Sequence, residues 1–133
     1  MPVLVVNVKY YRGRGSYIGR SKDPKQAVFG NPFTHLSLKD TLAQYHVPTR
    51  EEAIRRYKEE WVPEQWANNE YFRLALSSLV RRHLRGETVV LACHCAPLPC
   101  HGDVLSDVIV SLADMGVVTL ENKVEDEDGD KPF

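Results

Sequence analysis

Residues 88–105, TVVLACHCAPLPCHGDVL, decide the fold class and hold most of the chain's reactive side chains. TVVLA (88–92) is a short apolar run rich in β-branched residues, the pattern of a strand buried on both faces. From about Pro99 to Met115, the residues Val104, Leu105, Val108, Ile109 and Leu112 recur at helical spacing, and Gly116 follows as a stop. Pro99 suits a first helical position, where its missing N–H would be unpaired anyway. The segment therefore reads as strand, loop, helix. Its loop carries all three cysteines, Cys93, Cys95 and Cys100, with His94 and His101.

Working outward, VLVVNV (3–8) is a second buried-strand pattern, and YYRGRGSYIG (10–19) predicts an N-terminal hairpin with Tyr17 and Ile18 on its second arm. TREE (49–52) is a capping box that opens a helix with Ile54, Tyr57 and Trp61 inward, Glu51–Arg55 and Glu52–Arg56 paired outside, and Pro63 at its end. A second helix starts near Asn68 or Asn69 and runs to Leu84 with Phe72, Leu76, Leu79 and Val80 inward, and Gly86 terminates it. VVTL (117–120) reads as a last strand. Strands alternating with helices predict a small single α/β domain over 1–120, with a mostly parallel sheet, an N-terminal hairpin and about three main helices.

With 133 residues, 43% hydrophobic and 26% charged, the chain has the composition of one globular domain. No apolar run approaches the roughly 20 residues of a membrane span. The N-terminus lacks the basic region and small-residue cleavage site of a signal peptide, so we expect a cytoplasmic protein. An odd number of cysteines fits a disulfide framework poorly. The tail 121–133 carries six acidic and two basic residues and is expected to be disordered. Without it, 15 basic residues face 12 acidic ones, a net charge of +3. Six of those bases (Lys9, Arg12, Arg14, Arg20, Lys22, Lys25) lie within residues 9–25, a face suited to phosphate-bearing ligands or to ordinary solvation.

Three readings of the cysteine loop compete. In the first, Cys93, Cys95 and Cys100 bind a metal, zinc by ligand type, with His101, His35 or His46 as a fourth ligand. In the second, Cys100 or Cys95 is a reactive thiolate, because a helix N-terminus lowers a cysteine pKa and an adjacent imidazole can move its proton. In the third, the cysteines are small buried hydrophobes in a proline-shaped turn. Three cysteines, two histidines and two prolines in nine residues weigh against this last one. Asp103 reads as a first-turn helix stabiliser.

A second candidate stretch is YIGRSKDPKQAVFGNPF (17–33). Gly19 and Gly30 allow a ligand close to the backbone, Arg20 and Lys22 could hold phosphate oxygens, and Asn31 could offer its amide to a base or sugar. Taken alone, the same residues also describe a simple turn.

Together, YIGR…GNPF, TREEAIRRYKEEW and LRGETVVLACHCAPLPCHGDVL resemble the small bacterial and bacteriophage family catalogued as domain of unknown function 4326, over about residues 4–113. The resemblance implies that Gly19, Arg20, Gly30, Asn31, Pro32, Phe33, Cys93, Cys95, Pro99, Cys100, His101, Asp103 and Leu105 belong to the family pattern. His94 stands where a tryptophan is expected, and the loop from Ser21 to Phe29 is longer than usual.

These readings converge on a domain that binds a phosphate-bearing small ligand, a nucleotide or nucleoside derivative, between the Arg20–Asn31 and Cys93–His101 loops. They favour an enzyme, a hydrolase or transferase. Cys100 or Cys95 would be the thiolate, His101 its proton partner, Gly19, Arg20, Lys22, Gly30, Asn31 and Cys93 the ligand contacts. The alternative is a non-enzymatic module stabilised by zinc on Cys93, Cys95, Cys100 and His101 that binds nucleic acid or a protein partner.

Overall fold

The computed structural model describes residues 3–23, 27–35, 42–94, 98, 100–120 and the backbone of 131–132. Its centre is β5 (Val89–Cys93), buried at all five positions as the TVVLA pattern requires. On one side β5 pairs in parallel with β1 (Val3–Asn7), from Val3 opposite Val89 to Asn7 opposite Cys93. On the other side it pairs in parallel with β2 (Arg14–Tyr17), placing Ser16 opposite Leu91 and Tyr17 opposite Ala92. The sheet is thus mostly parallel and the domain α/β, as expected.

The two N-terminal strands are present, but β5 lies between them, so the expected hairpin becomes a parallel pair joined through residues 8–13. The amides of Tyr10 and Tyr11 both donate to the Asn7 carbonyl and turn the chain back. Inserting β5 gives the most apolar strand a hydrogen-bonded neighbour on each edge, which a two-stranded hairpin would not. A short antiparallel strand, β6 (Lys131–Pro132), pairs with Arg14 and Gly15. The remainder of the acidic tail lies outside the described residues.

The first helical rod begins at α1 (Arg50–Arg56), where the Thr49 hydroxyl accepts the Glu52 amide at 3.1 Å. It then widens into a π-turn at Tyr57–Trp61 and continues as α2 (Val62–Asn68). Pro63 therefore does not end the helix. A proline lacks one N–H and crowds the carbonyl four residues before it, and the wider turn ahead of it absorbs both defects. The outward ion pairs shift by a turn. Arg55 bridges Glu52 and Glu59, and Arg56 reaches Glu60 at 2.9 Å. The second rod, α3 (Glu70–Leu84), is capped by Asn69, whose side chain accepts the Phe72 amide at 3.1 Å.

The third rod, α4 (His101–Asp114), packs on β1, β5 and α3. It ends at Gly116, whose φ of +70° suits glycine and turns the chain so that Val118 enters the core. VVTL is thus not a strand. Its role is to plug the helix end with one buried valine. The main core joins Ile18, Tyr57, Phe72, Leu76, Leu91, Leu105 and Ile109. A satellite cluster of Phe33, Val47 and Ala53 lies under the paired β3 (Phe33–Thr34) and β4 (Tyr45–His46). No described helix is long and apolar enough to cross a membrane.

Gly102 sets how closely α4 approaches the sheet. A Cβ there would lie 2.8 Å from Val5 Cγ1 and 2.9 Å from Ile18 Cδ1. Gly102→Ala is expected to cost about 1–3 kcal/mol by overpacking, read as a lower denaturant midpoint at unchanged slope.

Candidate functional site

The parallel strands place Asn7, Tyr17, Ile18 and Cys93 along the C-terminal edge of the sheet, where ligands settle in open α/β folds. A cavity of about 280 Å³ opens there. Tyr17, Gly19, Arg20, Asn31, Phe33, Thr34, His35, Arg50, Ala53, Ile54, Cys93, His94, Cys100 and His101 line it. Residues from both stretches singled out in the sequence therefore border one cavity.

Cys100 is the N-cap of α4. Its sulfur accepts the Gly102 amide at 3.3 Å, and the Asp103 carboxylate accepts the Cys100 amide at 3.1 Å in return. Asp103 is thus the helix-start stabiliser expected. A sulfur in an N-cap position sits at the positive end of the helix. Cys93, at the end of β5, brings its sulfur within 3.5 Å of Cys100 Sγ, and both side chains are buried.

His101 is also buried. Its Nε2 contacts the Ile18 carbonyl, which can only accept, so Nε2 carries a proton in this contact. The Tyr57 ring meets the imidazole edge to face at 5.1 Å. Tyr57 in turn donates to the Phe29 carbonyl at 2.7 Å, tying the long loop to the helical rod. Burial, and secondarily the neighbouring Cys100, push the Tyr57 phenol well above its ordinary pKa of 10.0.

That shift predicts an alkaline weakness. The unfolded chain's phenol ionises near pH 10 while the folded one stays protonated, so stability present below pH 10 is lost as pH rises beyond it. Tyr57→Phe is expected to flatten this loss, checked by unfolding midpoints across the alkaline range.

Arg20 and Asn31 line the cavity but also build it. Arg20 Nε donates to the Asn31 carbonyl at 2.6 Å and Nη2 to the Phe33 carbonyl at 3.0 Å. The Asn31 side chain accepts the Phe33 amide at 2.9 Å and donates to the Ala53 carbonyl at 3.3 Å. Gly30 is where the 17–33 stretch folds back on itself: a Cβ there would lie 3.1 Å from the Gly19 carbonyl. Lys22 is exposed and lies outside the cavity wall. Cys95 and Pro99 fall outside the described residues.

At the mouth, the Tyr17 hydroxyl donates to the Arg20 carbonyl at 2.9 Å, which leaves its oxygen to accept from His94 Nε2 at 3.1 Å. The rings meet edge to face at 5.7 Å. His94, standing where tryptophan was expected, thus keeps an aromatic contact and adds a hydrogen bond. Burial raises the Tyr17 phenol's pKa against the opposing pull of Arg20.

Sequence reasoning missed Arg50 and Thr34 in the cavity lining. A signal for Arg50 was present, since a cation in a helix's first turn opposes the macrodipole. Among the described lining residues no carboxylate occurs, against two arginines and three histidines.

For zinc, the 3.5 Å between sulfurs is close to the roughly 3.8 Å that two thiolates take on one tetrahedral ion at about 2.3 Å. Among the described residues, no group of three or more His, Cys, Asp or Glu side chains is arranged to hold a metal ion.

The family model for domain of unknown function 4326 (DUF4326) matches residues 6–111. The chain belongs to that family. The matched span runs from β1 through most of α4 and includes the described residues that line the cavity. No curated protein and no solved structure matches the chain.

Proposed function

We propose that this DUF4326 protein is a cytoplasmic binder of a phosphate-bearing small ligand, a nucleotide or nucleoside derivative, and acts on it as a hydrolase or transferase. The observation that carries the reading is the lining of the cavity: Arg20, Arg50, His35, His94 and His101, with no carboxylate among the described lining residues. Such a corner favours an anion through the charge of its arginines and the helix dipole. Phe33, Ala53 and Ile54 supply an apolar wall for the rest of the ligand.

In this reading Arg50 and the α4 start hold the phosphate, while Arg20 and Asn31 hold the loop that shapes the pocket. The Cys100 thiolate attacks the ligand's electrophilic centre, forming a covalent bond as the leaving group departs with its electron pair. His101 delivers the proton that the leaving group needs.

Protection from alkylation tests it. A nucleoside monophosphate is expected to slow iodoacetamide modification of Cys100 at least tenfold, located by peptide mapping, whereas the parent nucleoside leaves it unchanged. Equal rates under all three conditions would reject the reading. The sulfur separation favours a second reading, a zinc-stabilised module that binds nucleic acid or protein. It predicts stoichiometric zinc in protein purified without a metal-binding tag, cysteines resistant to alkylation, and salt-sensitive binding where the partner is nucleic acid.

A further inference from the structure

We infer that Cys93 and Cys100 form a redox-active dithiol, a modification site at which a small hydroperoxide closes an intramolecular disulfide. The two sulfurs lie 3.5 Å apart although they belong to different elements. Cys93 ends the central strand, held by β1 on one side, and Cys100 caps α4. The strand end and the helix cap thus present the two sulfurs together. Both side chains are buried and both line the cavity, which is wide enough to admit a peroxide to a pair otherwise shielded from solvent.

The chemistry balances within the site. The Cys100 thiolate attacks one peroxide oxygen and the O–O bond breaks, giving a sulfenic acid and an alkoxide or hydroxide that takes up the proton of the Cys100 thiol. Cys93 sulfur then attacks Cys100 sulfur. The S–S bond forms, the S–O bond breaks, and the departing hydroxide leaves as water with the Cys93 proton. Two thiols supply two electrons, and the hydroperoxide is reduced to an alcohol, or to water, plus one water. The sulfurs need to close by about 1.5 Å to reach disulfide length, the scale of side-chain rotation. Cys95 takes no part.

Closure converts the α4 cap from a thiol sulfur to a disulfide sulfur and removes the nucleophile. That consequence for turnover rests on the function proposed above; the closure itself rests only on the sulfur geometry.

The test uses the full reduced chain, treated with one equivalent of hydrogen peroxide, quenched with N-ethylmaleimide and mapped by peptide mass. The expected product is a Cys93–Cys100 link with two thiols lost and both regained on dithiothreitol treatment. The link should persist in Cys95→Ser and be absent in Cys93→Ser, where Cys100 stops at sulfenic or higher acids. A link through Cys95, or closure only after unfolding in urea, would overturn the proposal. Mapping reports closure whether or not any ligand binds, so failure of the functional reading remains distinguishable.

Discussion

Arg20→Ala is expected to remove about 2–3 kcal/mol of stability and to abolish ligand binding together. Its guanidinium holds the carbonyls of Asn31 and Phe33, and each is a charge-assisted bond across the loop that lines the cavity. Without them the loop is held against α1 by the Asn31 side chain and by Phe33 packing on Ala53 and Arg56. Arg20→Lys should recover little of either property, because an ammonium is a point charge and cannot span two carbonyls as a planar fork does. Denaturant unfolding gives the first quantity and calorimetric titration with a nucleoside monophosphate the second. Wild-type stability in Arg20→Ala would show that these bonds do not organise the loop.

The largest loss of stability is expected from Tyr57→Ala, about 3–5 kcal/mol for emptying a fully buried aromatic site. Tyr57→Phe keeps the ring and forfeits only the bond to the Phe29 carbonyl, so about 1–2 kcal/mol is expected. The pair of variants separates two jobs. The ring packs on His101, while the hydroxyl tethers the long loop whose Phe29 lies edge to face with Phe72 at 5.4 Å. Thermal or denaturant midpoints check both. A loss from Tyr57→Phe as large as that from Tyr57→Ala would mean the tether, not the ring, dominates.

What the sequence disclosed follows from the range of each interaction. The β5–loop–α4 unit was legible because burial, helical periodicity and capping all act within a few residues, down to Asp103 closing the cap. Strand pairing was not legible: that β5 separates β1 from β2 depends on a segment some seventy residues away. Pro63 looked like a stop because a π-turn leaves no local signature. Arg20 and Asn31 looked like ligand contacts, since a sequence does not show that an arginine's donors meet carbonyls eleven and thirteen residues on. Arg50, conversely, was hidden in a capping box that explained its neighbours and said nothing of the cavity beside it.

The central claim is that the cavity at the start of α4 takes an anion. Parallel calorimetric titrations of a nucleoside 5′-monophosphate and its parent nucleoside, into wild type and Arg50→Ala, test it most directly. The account predicts one site for the monophosphate, at least tenfold weaker binding of the nucleoside, and a monophosphate affinity in Arg50→Ala that falls toward the nucleoside's. Equal affinity for the two ligands, or monophosphate binding unchanged by Arg50→Ala, would contradict it.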